Sequence, residues 1–322
     1  MHPVLSSPSS VRVYVSLVLL YLCRGISGAT FTLINRCDFT VWPGVLANAG
    51  TAALGSTGFE LPPGASRSFQ APPAWSGRFW GRTGCSFDSS TSQGSCATGD
   101  CGSGQVECNG AGAAPPATLA EFTVQSGGAQ DFYDVSLVDG YNLPMLVDAS
   151  GGSGTCLSTG CVTDLNQQCP AELRDESGQG CKSACEAFGS PEYCCSGAYG
   201  APDTCKPSIY SQMFKAACPR SYSYAYDDRT STFTCTGADY AITFCPSLSA
   251  SKKSAVNGSS NAGTTSGSRP GTTASTESPP DDNPPWLPGF SIGISSGTLL
   301  SRCDWTWLLP LVVSLLLCFL HS

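Results

Sequence analysis

The stretch Gly94-Ser-Cys-Ala-Thr-Gly-Asp-Cys-Gly-Ser-Gly-Gln-Val-Glu-Cys108 decides the fold, because it places three cysteines among glycines within fifteen residues. Its glycines are interleaved with the cysteines and do not lead from a strand into a helix, which argues against a phosphate-binding loop. The cysteines instead belong to a larger set. Whether that set pairs into disulfides depends on what happens at the two ends of the chain.

The start of the chain has the features of a secretory signal. The chain has 322 residues and 19 cysteines, an odd number that needs an explanation in a secreted protein. Residues 13–23 form an apolar run of eleven, preceded by Arg12 and followed by small residues. A basic start, a short apolar middle and small residues at the cleavage point are typical of a signal peptide. We therefore predict a signal peptide over residues 1–28, whose removal discards Cys23.

The end of the chain is a second apolar segment. Residues 305–320 are sixteen in number, whereas a spanning helix needs about 20 and usually has basic residues on its cytoplasmic side. Small residues around Ser295 precede a short polar spacer, which is the pattern of a glycosylphosphatidylinositol (GPI) anchor signal. We predict attachment at Ser295 and removal of residues 297–322, which discards Cys303 and Cys318. A single-pass helix, or a form that loses the tail otherwise, is the alternative.

The remaining chain divides into a core and a stalk. All sixteen cysteines left after processing fall within residues 29–246, and an even number in an oxidising compartment predicts eight disulfides. Residues 247–296 contain no cysteine and are rich in Ser, Thr, Gly and Pro, so they predict a solvated stalk. Asn257 begins an Asn-Gly-Ser glycosylation acceptor within this stalk.

Within the core, alternating apolar and polar residues predict strands. The clearest segments are residues 29–35, 77–83, 131–138 and 240–244. In the second of these, Arg78 and Arg82 share one face with Trp80, and Phe79 lies on the other. Phe31 and Leu33 share a face of the first, and Tyr133, Val135 and Leu137 share a face of the third. Short strands between Gly/Pro turns predict a β-sandwich.

Helical spacing is confined to the cysteine-rich part of the core. A helix is predicted to start at Pro207 and to end at Cys218-Pro219, with Ile209, Met213 and Ala217 on one apolar face. Residues 182–188 are a second, shorter helix candidate.

Charge and composition exclude several functions. The whole chain has a formal charge of −8, which argues against a nucleic-acid binder. The only histidines, His2 and His321, lie in segments predicted to be removed, which excludes a Ser-His-Asp triad or a Cys-His pair. Because the cysteines are better explained as disulfides, we predict no metal site and no cofactor. Ten Lys/Arg and twenty Asp/Glu give residues 29–246 a charge near −10, which leaves carboxylates as the groups able to do chemistry.

The motifs of the core resemble those of plant thaumatin-like proteins, the pathogenesis-related group five family, here of the GPI-anchored type. The resemblance covers residues 29–246 and is carried first by the Gly94–Cys108 segment. The family motif starts just before this segment, and there Ser92 replaces the family's usual glycine. Further matches are Trp80–Cys85, Thr118–Phe122, Leu137–Met145, Tyr193–Cys195, Tyr222–Asp228 and Phe244–Pro246. The resemblance implies a mainly β fold: a flattened β-sandwich with a disulfide-rich, partly helical lobe, a small loop lobe, and a cleft between the sandwich and the helical lobe.

The resemblance also implies a disulfide order that spacing alone does not give. The implied pairs are Cys37–Cys245, Cys85–Cys96, Cys101–Cys108, Cys156–Cys235, Cys161–Cys218, Cys169–Cys181, Cys185–Cys194 and Cys195–Cys205. The first pair joins the two ends of the core and closes a loop long enough to stabilise the fold by about 4–5 kcal/mol in the chain-entropy model.

Many members of the family carry an acidic cleft made by one Arg, one Glu and three Asp. By motif position, the resemblance assigns these roles to Arg78, Glu121, Asp134 and Asp139, and the fifth to Asp227 or its neighbour Asp228. Paired carboxylates can act as acid and base, or acid and nucleophile, at a glycosidic bond. The same groups can instead bind sugar hydroxyls through hydrogen bonds.

These observations lead to three hypotheses. The first is a monomeric cell-surface defence protein that binds β-1,3-glucan or a related wall polysaccharide and is held on the outer face of the plasma membrane by its lipid anchor. The second is a weak endo-β-1,3-glucanase that uses Glu121 and Asp134. The third is a non-catalytic wall or plasmodesmal surface protein. Secretion to the apoplast or cell wall is the alternative location.

Overall fold

A computed structural model describes residues 28–246 of the chain, and the strands of this part form two larger sheets and one small hairpin. In spatial order the first sheet consists of β10 (Thr159–Cys161), β9 (Met145–Ser150), β12 (Asp239–Phe244), β1 (Thr30–Asn35) and β3 (Ser66–Gln70). The second consists of β11 (Phe233–Cys235), β8 (Asp131–Ser136), β7 (Leu119–Thr123), β4 (Ser76–Arg82) and β2 (Trp42–Ala47). The hairpin pairs β5 (Ser86–Phe87) with β6 (Gly94–Ser95).

The two larger sheets pack face to face around an aromatic core. Phe31 of β1 lies at its centre, with ring centroids 5.1 Å from Trp75, 5.0 Å from Phe79 and 4.7 Å from Phe122. Phe79 and Phe122 come from β4 and β7 of the opposite sheet, so the alternation along each strand turns one row of rings inward. This confirms the predicted β-sandwich and its four strand segments.

Strand β4 contributes to two separate apolar clusters. Phe79 packs in the sandwich core, and the adjacent Trp80 packs on the opposite face with Leu119 and the Cys101–Cys108 bridge. Both rings are fully buried. The predicted separation of Phe79 from the Arg78 face of this strand is therefore confirmed.

A second lobe is inserted in the chain between β10 and β11 and is built mainly from turns, short helices and disulfides. Its helices are α1 (Ala184–Phe188), α2 (Pro191–Cys194), α3 (Ile209–Ala217) and α4 (Asp228–Ser231), with 3₁₀ turns at Leu165–Gln168, Ala171–Leu173 and Gly197–Tyr199. Its apolar core contains Leu137, Tyr141, Leu173 and Phe214. Leu137 was predicted to share a face with Tyr133 and Val135, but it packs in this lobe because β8 ends at Ser136.

The predicted helix near residue 207 starts two residues later than expected. Ser208 is its N-cap, and its hydroxyl accepts a hydrogen bond from the Ser211 backbone N–H, so α3 begins at Ile209. The expectation that Ile209 lies on the packed face is wrong, because this side chain at the first turn is 74% exposed and Phe214 is buried instead. Met213 and Ala217 are partly buried against the lobe core, as predicted.

Within residues 28–246 the sixteen cysteines form eight disulfides, and the pairs are those that the resemblance implies. The longest connection is Cys37–Cys245, with a sequence separation of 208 residues. Cys37 lies two residues after the end of β1, and Cys245 directly follows β12. These two strands are adjacent and parallel. The bridge thus fastens the first strand of the sandwich to the last.

Several predictions fall on other parts of the chain. The signal peptide, apart from Gly28, lies outside the described residues, as do the stalk, the acceptor Asn257, the attachment residue Ser295 and the anchor signal. Among the described residues, no helix is both long enough and apolar enough to span a bilayer.

Candidate binding cleft

The centre of the predicted cleft is built by the register of three adjacent strands. Arg78 of β4 lies opposite Glu121 of β7, and Glu121 lies opposite Asp134 of β8. Side chains directly opposite each other in neighbouring antiparallel strands lie on the same face, with Cβ atoms about 4.5–5.5 Å apart. Because Phe79 points into the sandwich core, this row of one cation and two carboxylates lies on the outer face.

The Arg78–Glu121 pair is an ion pair without a direct hydrogen bond. Arg78 Nε lies 3.6 Å from Glu121 Oε1, which is too long for a hydrogen bond. The two side chains retain 29% and 26% of their exposure, yet Arg78 Nε itself is buried and has no hydrogen-bond partner within residues 28–246. The pair therefore leaves hydrogen-bonding capacity unused at the surface of the sheet.

Asp134 carries the least satisfied carboxylate of the row. The residue is 3% exposed, and its Oδ2 atom is buried with no hydrogen-bond partner in the described part of the chain. Burial raises the pKa of Asp134 well above its ordinary value, and the negative charges of Glu121 and Asp228 add to this effect against the opposing influence of Arg78. A carboxyl group in this environment tends to keep its proton.

Two further carboxylates share the same electrostatic environment. Burial raises the pKa of Glu121, where Arg78 opposes and Asp139 reinforces the effect. Burial also raises the pKa of Asp139, again opposed by Arg78. One guanidinium therefore faces at least three carboxylates, and its single charge cannot stabilise all of them in the ionised form.

The structure distinguishes between Asp227 and Asp228, which the sequence left open. Asp227 Oδ2 accepts hydrogen bonds from the Ser223 backbone N–H (3.0 Å) and hydroxyl (2.9 Å) and lies 3.0 Å from Lys215 Nζ. The negative charge of Asp228 instead contributes to the raised pKa of Asp134. Asp228 also accepts a hydrogen bond of 2.7 Å from the Tyr222 hydroxyl. Asp228 is thus the neighbour of the carboxylate row, and Asp227 braces the loop that presents it.

Two residues at this site escaped the reasoning from sequence. Tyr222 lies in a quoted motif, but its hydrogen bond to Asp228 depends on the turn between them. Glu186 follows Ser183 by three residues, and the Ser183 hydroxyl accepts a hydrogen bond from the Glu186 backbone N–H. This spacing predicts a helix start, which does not indicate where the Glu186 side chain lies.

A second charged cluster lies at the other end of β4 and has a different character. The fully buried Arg82 donates from Nε to the Trp42 carbonyl (2.9 Å) and from Nη2 to the Val106 carbonyl (2.6 Å). Burial lowers the pKa of Arg82 to about 10, against the opposing charges of Asp100 and Glu107. The Arg82 guanidinium thus joins the Trp42 carbonyl of β2 to the Val106 carbonyl of the Gly94–Cys108 segment.

The carboxylates of that segment are saturated with hydrogen bonds. Asp100 accepts hydrogen bonds from the backbone N–H groups of Cys96 (2.7 Å) and Gly102 (2.6 Å), so it braces this loop. Glu107 accepts from Thr57, Ser56 and Gly58. Burial opposes ionisation of Glu107, but these hydrogen bonds together hold its pKa below the ordinary value.

Ser92, the position where the family has glycine, adopts a positive φ of 56°. This is the left-handed region in which glycine pays no steric cost. The turn is nevertheless closed, because the Ser92 backbone N–H donates to the Asp88 carbonyl at 2.8 Å. The substitution therefore adds local strain and leaves the hairpin of β5 and β6 in place.

Comparison with known proteins agrees with the fold and the motifs. The profile of the Thaumatin family matches residues 35–246. The chain belongs to the thaumatin family. It is 75% identical over 230 residues to Thaumatin-like protein 1 of Arabidopsis thaliana, a match that covers 70% of this chain and 88% of the relative.

Two other relatives have names that describe a role. Pathogenesis-related protein 5 of Arabidopsis thaliana is 56% identical over 243 residues, covering 74% of this chain and 98% of the relative. A protein of Prunus avium named glucan endo-1,3-beta-glucosidase is 52% identical over 240 residues, covering 73% of this chain and 98% of the relative. This thaumatin-like protein is therefore related to pathogenesis-related proteins and to a protein named as a glucanase.

Proposed function

We propose that this thaumatin-like protein is an extracellular plant defence or wall-associated protein that binds β-1,3-glucan, or a related wall polysaccharide, in the cleft formed by Arg78, Glu121, Asp134, Asp139 and Asp228. The observation that carries the proposal is the unused hydrogen-bonding capacity of this row. Arg78 Nε and Asp134 Oδ2 are both buried and have no hydrogen-bond partner among the residues that the structure describes, and a sugar hydroxyl can accept from the first and donate to the second.

The raised pKa values support a neutral ligand. Burial raises the pKa values of Glu121, Asp134 and Asp139, and repulsion from neighbouring carboxylates adds to the effect on Glu121 and Asp134. The cluster therefore tends to retain protons. A protonated carboxyl group donates one hydrogen bond and accepts others, as a sugar hydroxyl does. Neutral polysaccharide hydroxyls therefore suit this cluster. The glucosidase name of the Prunus avium relative supports β-1,3-glucan as the first polymer to test.

Binding is favoured over hydrolysis by the placement of the two candidate catalytic groups. Glu121 and Asp134 are direct cross-strand neighbours on one face of one sheet. A glycosidase needs two carboxyl groups on either side of the bond that is cleaved, one protonated and one ionised. Here both groups lie on the same wall and burial raises the pKa of each.

The binding proposal is tested by retention on insoluble β-1,3-glucan. The mature wild-type protein should be retained, and Asp134→Asn combined with Glu121→Gln should lose most of that retention. Exposed carboxylates of the same types supply the matched control, Glu60→Gln combined with Asp203→Asn, which should be retained like wild type. Equal retention of both double variants would contradict a role for the cleft.

The second candidate function, a weak endo-β-1,3-glucanase, is favoured by the glucosidase name of a relative. Release of reducing ends from laminarin by wild type and by Glu121→Gln separates it from binding. An enzyme should lose at least about 100-fold of its rate without its acid or nucleophile. The binding proposal expects the same background rate for both proteins.

The proposed location rests on the processing signals predicted at the two ends of the chain. We include in the proposal a signal peptide over residues 1–28, a stalk over 247–296 glycosylated at Asn257, and a GPI anchor at Ser295, which would hold the cleft outside the plasma membrane. Phosphatidylinositol-specific phospholipase C should release such a protein from membranes. Retention after treatment would favour a single-pass helix, and recovery in the soluble apoplastic fraction without treatment would favour a secreted form. If glucan binding also failed, the third hypothesis, a surface protein defined by its location, would gain support.

A further inference from the structure

The disulfide-rich lobe contains a cavity that the carboxylate row does not account for. Its volume is about 350 Å³, at the small end of the range of roughly 300–1,000 Å³ typical of ligand pockets. Its walls come from α1, α2 and α3 and from the loop around Tyr224. Of the five residues proposed to form the cleft, Arg78, Glu121, Asp134, Asp139 and Asp228, only Asp139 lines the cavity. The cavity therefore adjoins the carboxylate row at one point and extends away from it.

One wall of the cavity is aromatic. Tyr193, Tyr210, Phe214 and Tyr224 all line it. The rings of Tyr193 and Tyr210 lie edge to face with centroids 6.0 Å apart, and Phe188 packs within 5.6 Å and 5.3 Å of them. This contact fixes the two tyrosines in place. The Cys185–Cys194 and Cys195–Cys205 bridges also line the cavity and hold α1 and α2 rigidly around it.

The polar side of the cavity centres on Glu186. Its Oε2 atom is buried and has no hydrogen-bond partner among the described residues. Burial raises the pKa of Glu186 to about 7, with a contribution from the charges of Asp139 and Asp175 and against the opposing charge of Lys182. Near neutral pH this carboxyl group can therefore either donate or accept a hydrogen bond.

We propose that this cavity is a second sugar-binding subsite, which holds one pyranose unit of the same polysaccharide chain that lies along the carboxylate row. The aromatic wall of Tyr193 and Tyr210 would pack against the C–H face of the sugar ring, and Glu186 and Asp139 would bind its hydroxyls. This inference rests on the proposed function and extends the binding surface from the sandwich into the disulfide-rich lobe.

The charges around the cavity favour a neutral sugar over an amino sugar. The cavity is lined by three acidic side chains, Asp139, Glu186 and Glu192, and by the basic side chain of Lys206. The positive charge of Lys182 opposes the rise in the pKa of Glu186. A cationic ligand would meet Lys206 in the lining and would require Glu186 to give up its proton. A neutral pyranose needs only the hydrogen bonds that the buried Oε2 atom lacks.

The test is calorimetric titration of the mature protein with β-1,3-gluco-oligosaccharides of increasing length. The wild-type affinity should rise when the chain becomes long enough to reach from the carboxylate row into the cavity. Glu186→Gln and Tyr193→Ala should each remove that rise, weakening the binding of long chains by about tenfold and leaving short chains unaffected. Tyr193→Phe keeps the ring and should retain the rise.

The control variants distinguish a loss of binding in the cavity from a loss of binding in the carboxylate row. Ile209→Ala alters a 74% exposed residue of α3 that does not line the cavity, and it should bind every length like wild type. Thermal unfolding of each variant checks that it is folded. Asp134→Asn should weaken the binding of all lengths, because it acts in the carboxylate row.

Three outcomes would overturn the inference. If both cavity variants bind long chains like wild type while Asp134→Asn binds weakly, the subsite is wrong and the cleft stands. If wild type binds no gluco-oligosaccharide of any length, the proposed function fails and the subsite fails with it. If wild type prefers glucosamine oligomers and the cavity variants lose that preference, the ligand is a cationic sugar and the neutral subsite is wrong.

Discussion

The two ends of strand β4 present the same residue type on the same face and use it in opposite ways. Arg82 is fully buried, and its guanidinium donates to backbone carbonyls of β2 and of the Gly94–Cys108 loop. Arg78 lies four residues earlier in β4 and remains partly exposed beside Glu121. Its Nε has no hydrogen-bond partner among the described residues. The difference teaches that unsatisfied polar groups, rather than charge itself, distinguish a candidate binding site from a structural cluster.

The carboxylates repeat this contrast. Glu107, near Arg82, accepts hydrogen bonds that hold its pKa below the ordinary value. Glu121, beside Arg78, has its pKa raised by burial. Since the first carboxylate is stabilised in its ionised form and the second is not, substitutions at the two ends should have opposite effects on stability.

The largest effect is expected from Arg82→Met. It leaves buried carbonyls without donors and removes the charge that faces Asp100 and Glu107, so the free energy of unfolding should fall by about 3–5 kcal/mol. Arg78→Met should change it by less than about 1 kcal/mol, because the Arg78 ion pair is partly exposed. Denaturant unfolding of the two variants measures the difference, and equal losses would remove the distinction between the two ends.

Glu107→Gln should lower the free energy of unfolding by about 1–2 kcal/mol at pH 7, because hydrogen bonds to a charged acceptor are lost at a partly exposed site. The folded-state pKa of Glu107 is lowered, so its contribution is present above the unfolded-state pKa and is lost as the pH falls through the folded-state value. The variant should therefore be clearly less stable than wild type at pH 7 and nearly as stable at pH 3. Denaturant unfolding curves at the two pH values measure this difference. Glu60→Gln, which alters an exposed glutamate, should match wild type at both pH values.

Asp134→Asn should act in the opposite direction and raise the free energy of unfolding by about 1 kcal/mol at pH 7. The folded-state pKa of Asp134 is raised, so protonated Asp134 favours folding fully below the unfolded-state pKa, and this advantage is lost as the pH rises through the folded-state value. The variant should exceed wild type near neutral pH and approach it near pH 3. A loss of stability at pH 7 would show that the ionised carboxylate is satisfied after all.

The smallest effect should separate two adjacent residues. Asp227→Asn removes the partner of Lys215 and should cost about 0.5–1 kcal/mol of unfolding free energy, whereas Asp228→Asn relieves repulsion on Asp134 and should be nearly neutral. The two variants should show the opposite ranking in glucan retention, where Asp228→Asn is expected to bind more weakly than Asp227→Asn. Identical behaviour of the two variants in both measurements would contradict their separate roles.

The sequence predicted the parts of the fold that depend on local periodicity. The alternation in residues 77–83 placed Phe79 on one face and both arginines on the other, since side-chain direction in a strand follows from position alone. The disulfide pairs could not be obtained in this way and came only with the family resemblance. Ile209 was misplaced, because an apolar residue at helical spacing packs only if the helix presents that side to the core.

For the same reason, less of the candidate site than of the fold could be predicted from the sequence. That Glu121 lies opposite Asp134 depends on register between strands, and the different roles of Asp227 and Asp228 depend on the turn that leads into α4. Glu186 was missed because its spacing from Ser183 reports only a helix start. Its buried, unpartnered oxygen is a property of the packed lobe, which the linear sequence does not contain.

The Cys37–Cys245 bridge has a consequence for survival outside the cell. It closes a covalent ring around nearly all of the described chain, with seven further bridges inside the ring. A protease that cuts any one exposed loop between these cysteines opens the ring but releases no fragment, because both halves stay joined through the bridge. Strands β1 and β12 also remain paired side by side. A nicked molecule would therefore keep its sandwich together, and the two pieces could part only after every disulfide that joins them is reduced.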